Sequence, residues 1–314
     1  MRGEREKGDK KMGQEIEVFF DERTWTLSYV VYDSETRDAV VLDPVLDYEP
    51  ASSKIWTESA DELIAFIRGK ELTLHYILET HAHADHLSGS QILKEAFPQA
   101  KIAIGARITE VQELFKGVFD LPDDFPTDGS QFDELLQAGE SYTAGTLSFD
   151  VIPVPGHTPA DSAYRFEGAV FTGDALFMPD MGTGRCDFPG GSAEDLYDSV
   201  MRLYDLPEDT LLYVGHDYMP GGRELAYKAT VKQHRENNVA LPADRSREDF
   251  VSWRKNRDAG LSAPKLLFQS VQVNVDAGAL PKPRNPDEQA FLKIPINIFR
   301  PATNDSDNLT IEKI

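Results

Sequence analysis

Thr80-His81-Ala82-His83-Ala84-Asp85-His86 sets four metal-capable side chains within six residues, just after the Leu-, Tyr- and Ile-rich segment 72–78. That run reads as a buried strand, so the histidines stand on a loop at a strand's C-terminal end, where α/β enzymes place their chemistry. In extended backbone, residues i and i+2 point to the same side, so His81 and His83 can share one ion. Asp85 and His86 lie where the chain turns into the next helix. From there they can face a neighbouring position, about 3.5–4 Å from the first in two-metal hydrolytic sites. The competing reading, a histidine-rich surface loop, loses ground to three remote partners.

His157 follows the strand-like run 151–155, Asp174 follows Phe171-Thr172-Gly173, and His216 follows the run 211–215. Each alone is ordinary: a histidine after a strand is usually a satisfied polar group, and Gly-Asp is usually a turn. Together they repeat one placement of strand, small residue and ligand-capable side chain. Gly156, Gly173 and Gly215 are expected to let the backbone approach an ion closely.

Outward from these residues, 16–20, 27–32 and 39–42 read as short antiparallel strands separated by turn-forming clusters. A helix is predicted over 59–68, where Leu63, Ile64, Phe66 and Ile67 form an apolar stripe behind an acidic first turn. Helices follow at 90–97, 108–115 and 193–204, with strands at 101–104, 146–154, 163–166, 169–171 and 211–214, and a loop at 121–129. Both halves are β-rich and then helical, which two face-to-face sheets with outer helices would satisfy. Residues 1–14 are expected to form a disordered lead-in, with Met12 an alternative start. Residues 15–218 would form the catalytic domain. Residues 219–314 would be a C-terminal extension packed on it, with helices near 223–236 and 248–258 and an extended tail, a candidate dimer contact.

The 314 residues carry 32 Lys and Arg against 54 Asp and Glu, a formal charge of -22. Such a surface repels phosphate backbones and anionic membranes, so neither nucleic acid nor membrane is expected as a partner. No uncharged apolar run approaches the length of a membrane span. Cys186 is the only cysteine, which excludes an intramolecular disulfide and suits a reducing, cytoplasmic compartment.

His81-Ala-His-Ala-Asp-His86, Gly156-His157-Thr158, Gly173-Asp174 and Gly215-His216 together resemble the signature of the metallo-β-lactamase superfamily. The resemblance implies an α/β fold, an αββα sandwich of two packed mixed sheets with outer helices. In dinuclear members such as glyoxalase II it implies His81, His83, His157 and Asp174 at one metal, with Asp85, His86, His216 and Asp174 at the other. The ligands alone allow zinc hydrolysis of a thioester or lactone. They equally allow one iron on His81, His157 and Asp174, two imidazoles and a carboxylate that leave coordination positions open.

Segments outside the ligands tilt the choice. The run Phe171-Thr-Gly-Asp-Ala-Leu-Phe-Met-Pro-Asp-Met-Gly-Thr-Gly-Arg-Cys-Asp-Phe-Pro-Gly-Gly191 and Gly215-His-Asp-Tyr218 resemble persulfide dioxygenases. The tail, with Pro220-Gly-Gly-Arg-Glu-Leu225, Val271-Gln-Val-Asn274 and Leu292-Lys-Ile-Pro-Ile-Asn297, is similar to the bacterial β-lactamase-like branch of that group. That resemblance implies one Fe(II) per chain and conversion of glutathione persulfide, O₂ and water to sulfite and glutathione. His83, Asp85, His86 and His216 would then be supporting groups or a second metal position, with two zinc or mixed metals the alternative. Arg185 and Tyr218 match substrate contacts of the wider family. Arg185 has a planar fork suited to a carboxylate; Arg223 and Lys228 are further cationic candidates.

Overall fold

The computed structural model describes residues 13–283, 285 and 287–296. The lead-in up to Met12, the alternative start there, and Asn297 of the tail motif lie outside the described residues. The first half forms strands β1 (Gln14–Asp21), β2 (Thr26–Asp33), β3 (Asp38–Leu42), β4 (Val45–Glu49), β5 (Lys54–Trp56), β6 (Thr73–Glu79), β7 (Leu87–Ser88), β8 (Lys101–Gly105) and β9 (Glu134–Leu136). Between them run helices α1 (Glu58–Gly69), α2 (Ser90–Ala96) and α3 (Ile108–Val118). The second half forms β10 (Ser141–Ala144), β11 (Leu147–Pro153), β12 (Ser162–Phe166), β13 (Ala169–Phe171), β14 (Leu211–Tyr213) and β15 (Lys228–Thr230). Its helices are α4 (Ala193–Tyr204), α5 (Val231–Asn237), α6 (Arg247–Asp258) and α7 (Leu267–Asn274).

The strands make two six-stranded mixed sheets, ordered β1-β2-β3-β6-β8-β9 and β10-β11-β12-β13-β14-β15, and a small sheet β5-β4-β7. Every residue of β2 is buried, because successive side chains leave opposite faces of a strand and both faces are covered. Tyr29 and Val31 join Leu42, Leu78, Phe149 and Phe171 in the core between the sheets. Val30 and Tyr32 face the helical layer of Leu63, Ile67, Leu93 and Val111. On the other side α4 and α6 cover the second sheet through Leu196, Val200, Leu203 and Phe250. The four layers are therefore helix, sheet, sheet, helix. Helix α1 follows from its sequence: Ala60, Leu63, Ile64 and Ile67 recur at helical spacing and are buried, while Glu58 and Asp61 begin it and Arg68 ends it.

Two expectations need correction, and one strand gains a partner. The helix expected over 223–236 is instead a turn at Pro220–Gly222, the edge strand β15 paired antiparallel with β14, and the short helix α5. Thr230 starts α5 through a reciprocal capping box with Gln233, which fixes the helix start at Val231, eight residues later than expected. The tail is not wholly extended, because Leu267–Asn274 is helical and largely buried. The strand expected over 146–154 is present as β11, with a partner not expected from the sequence, β10, turned back at Gly145.

That hairpin is tied to the first sheet by Asp38. Its carboxylate accepts hydrogen bonds from His75 Nε2 at 2.6 Å, the Thr146 amide at 2.9 Å and Thr36 Oγ1 at 2.9 Å. Burial opposes its ionisation, but these donors outweigh burial and bring its pKa down to about 2. A depressed carboxylate stabilises the fold above its unfolded value and loses that contribution as pH falls through the folded value. Asp38→Asn is therefore expected to lower stability to urea at neutral pH, and the gap to wild type should close between about pH 4 and pH 2.

Candidate metal centre

The four loops that carry the ligand-capable residues follow β6, β11, β13 and β14 and meet at one site. Strand β6 delivers His81 and His83, β11 delivers His157, β13 delivers Asp174 and β14 delivers His216. All these residues are buried, as is His86, while Asp85 is partly exposed. Gly173 holds a left-handed φ of 50°, and a Cβ there would stand 2.7 Å from Thr80 Oγ1. A Cβ on Gly156 would come within 2.4 Å of Leu196 on α4. At these two positions the glycine admits neighbouring protein, which corrects the expectation that it clears space for an ion.

Each imidazole is fixed through one ring nitrogen, which decides the other. His157 Nδ1 donates to the Arg185 carbonyl at 2.8 Å, His216 Nδ1 to the Trp25 carbonyl at 3.2 Å, and His86 Nδ1 to the Leu87 carbonyl at 3.1 Å. Thr80 Oγ1 donates to Asp43 and so accepts from His81 Nδ1 at 3.0 Å. His83 is the exception in orientation, its Nε2 lying 3.0 Å from Asp43 and 3.3 Å from Glu79. The opposite nitrogens are left bare: His81 Nε2, His83 Nδ1 and His86 Nε2 are buried with no hydrogen-bond partner, and so is Asp174 Oδ1. Buried polar atoms without partners are costly. A cation that accepts several lone pairs at once removes that cost, and metal-ligating histidines typically donate their other ring N–H to a carbonyl or carboxylate in this way.

Donors of His81, His157 and Asp174 lie within 4.8 Å of one another, as do those of His83, Asp85 and His216, and those of Asp43, Glu79 and His83. Asp174 stands between the first two sets, with one oxygen 3.6 Å from His157 Nε2 and the other 3.4 Å from His216 Nε2. The electrostatics differ across the centre. Burial, then the neighbouring imidazoles His83 and His157, push His81 well down, and burial carries His86 to about 4. Burial also opposes a charge on His216, but Asp85 and Asp174 outweigh it and lift it to about 9. His83 is raised likewise against burial, by Asp43 and Glu79.

Asp43, Glu79 and Asn274 were not singled out in the sequence. Asn274 on α7 donates to the carbonyls of His83 at 2.8 Å and His86 at 2.9 Å, and accepts the Ser88 amide at 2.8 Å. Its only sequence signal was membership of the Val271-Gln-Val-Asn274 motif.

The centre opens into a cleft of about 270 Å³ whose walls include Phe177, Met181, Phe188, Tyr218 and Leu261. Arg185 and Tyr218 both line it. The Arg185 fork is already engaged, bonding Asp187 twice at 2.6 Å and the Ser262 carbonyl at 2.7 Å. Arg223 is bound to Asp180 and Asp217, and Lys228 lies against Tyr213 and Tyr227. Cys186 is buried, and burial pushes its thiol up, so it is an inert loop residue.

The pattern of the Metallo-beta-lactamase superfamily matches residues 26–216, which spans the whole constellation. The chain belongs to this superfamily. It is 44% identical to Glyoxylase B2 of Dictyostelium discoideum over 91% of this chain and 98% of that protein. It is 31% identical to the mitochondrial persulfide dioxygenase ETHE1 of Homo sapiens, over 84% of this chain and 88% of that protein. The crystal structure of ETHE1 from Myxococcus xanthus superposes with a TM-score of 0.67 at 31% identity, covering 84% of this chain and all of that one. Among the described residues no helix is long and apolar enough to cross a membrane.

Proposed function

We propose that the protein is a persulfide dioxygenase with one Fe(II) per chain, converting glutathione persulfide, O₂ and water to sulfite and glutathione in the cytoplasm. The observation that carries this reading is the separate donor set of His81, His157 and Asp174. Two imidazoles and one carboxylate suit a non-haem ferrous ion with open positions. Such an ion supplies the one-electron steps through which O₂ reacts with a sulfur anion. The likeness to persulfide dioxygenases over most of both chains supports the same reading.

The residues around this set have distinct tasks in the proposal. The Arg185 and Trp25 carbonyls fix His157 and His216 in the tautomer that presents Nε2. Asp43 and Glu79 hold the His83 ring from behind, so that His83, Asp85, His86 and His216 are a supporting shell that orients water. Phe177, Met181 and Phe188 give the cleft apolar walls that limit water around the sulfur. Tyr218 stands over His216, with ring centroids 5.8 Å apart, and would contact the body of the thiol together with Arg185.

A second reading, a glyoxalase II-like thioester hydrolase with two metals, is favoured by the second donor set at His83, Asp85 and His216 and by the likeness to Glyoxylase B2. Metal analysis combined with an oxygen electrode separates the two. One iron per chain and O₂ uptake on adding glutathione persulfide are expected. Two zinc ions per chain and thioester cleavage without O₂ uptake would overturn the proposal.

A further inference from the structure

We propose that Arg257, in the last turn of α6, is the residue that receives the terminal glycine carboxylate of a glutathione-type substrate. This deepens the reading above and rests on it only for the substrate class, a small thiol derivative bearing carboxylates. Three guanidinium groups line the cleft beside the metal centre: Arg185, Arg254 and Arg257. They are not equivalent, because two of them are already neutralised.

Arg185 spends its fork on Asp187 and its remaining nitrogen on the Ser262 carbonyl. Arg254 is 2% exposed, bonds Asp258 through Nε at 2.9 Å and through Nη2, and turns Nη1 to the Thr183 carbonyl at 3.3 Å. Breaking either arrangement to admit a ligand would strand a carboxylate, in Asp258's case one that is 4% exposed. Arg257 is exposed, and among the described residues it makes no ion pair or hydrogen bond through its side chain. Its guanidinium lies over the Trp253 ring, 5.7 Å from the centroid.

A plain alternative is that Arg257 merely complements the C-terminal dipole of α6, a role worth a few tenths of a kcal/mol. Lys255 shares that turn and turns outward to Glu194 at 2.6 Å. Arg257 instead faces the cleft, beside Leu261 and Pro264. A planar fork held against an indole, next to an apolar rim and with all its donors free, is arranged for bidentate capture of a carboxylate. The need is acute here, because a chain of net charge -22 repels an anionic substrate unless one local cation remains uncompensated. The carboxylate grip expected at Arg185 from the sequence is thus transferred to Arg257, with Arg185 left to shape the wall through Asp187.

The test is calorimetric titration of the iron-loaded protein with glutathione and with its glycine ethyl ester, using wild type, Arg257→Ala and Arg257→Lys. Arg257→Ala is expected to weaken glutathione binding about tenfold, the ester should bind wild type with a similar deficit, and the variant should lose nothing further with the ester. Arg257→Lys should recover part of the affinity, and the loss in kcat/KM should be carried by KM. Equal affinity of wild type and Arg257→Ala for glutathione, an equal loss with the ester, or no glutathione binding by wild type would overturn the proposal. O₂ uptake without any Arg257 effect sinks this inference alone. Arg257-dependent glutathione binding without O₂ uptake sinks only the dioxygenase reading.

Discussion

Asp174→Ala is expected to purify without metal and to retain only background activity, the largest effect of any single substitution in the centre. Asp174 is the one carboxylate placed between both donor sets, 3.6 Å from His157 Nε2 and 3.4 Å from His216 Nε2. Its loss removes an anionic ligand from one set and the charge that holds His216 beside the other. Substitution of a group that merely supports a ligand costs about 10–100-fold in metal affinity, so removal of the ligand itself should exceed roughly 100-fold. His157→Ala should behave similarly at its own set. The readout independent of turnover is thermal unfolding with and without added Fe(II). Wild type should gain stability with metal by mass action, and Asp174→Ala should show no shift. Full metal occupancy in either variant would refute the assigned ligands.

Asn274→Ala should loosen the metal loop from a distance. One side chain satisfies three buried backbone groups, the carbonyls of His83 and His86 and the amide of Ser88. Each buried group left unpaired costs about 1–3 kcal/mol, so a loss of roughly 3 kcal/mol or more in unfolding free energy is expected. Asn274→Asp keeps an acceptor for the Ser88 amide but surrenders both donors and sets a carboxylate against two carbonyls. It should therefore be at least as damaging as alanine, and both variants should release metal to a chelator faster than wild type. Normal stability and normal metal retention in Asn274→Asp would show that the clamp does not matter.

Much of the fold was legible because its signals are local. The apolar residues of α1 recur at 3.6-residue spacing, and β6 is a short segment rich in Leu, Ile and Tyr, so each could be read within its own window. Helix α7 escaped because Leu267-Phe-Gln-Ser-Val-Gln-Val-Asn274 is buried on nearly every side and carries no charged face to reveal a period. The small sheet β5-β4-β7 escaped because β7 is two residues long and pairs with β4 from far away in the chain.

By itself, the sequence determined which side chains could ligate a metal and that they follow strand ends, since residue type and spacing are written in the chain. Only the tertiary structure decided how those side chains are used. The nitrogen that His157 or His216 presents depends on a carbonyl 28 or 191 residues away. Which arginine stays free to meet a substrate depends on which carboxylates the fold places against the others. Protonation and charge compensation are properties of neighbours, and neighbours distant in the chain are chosen by packing.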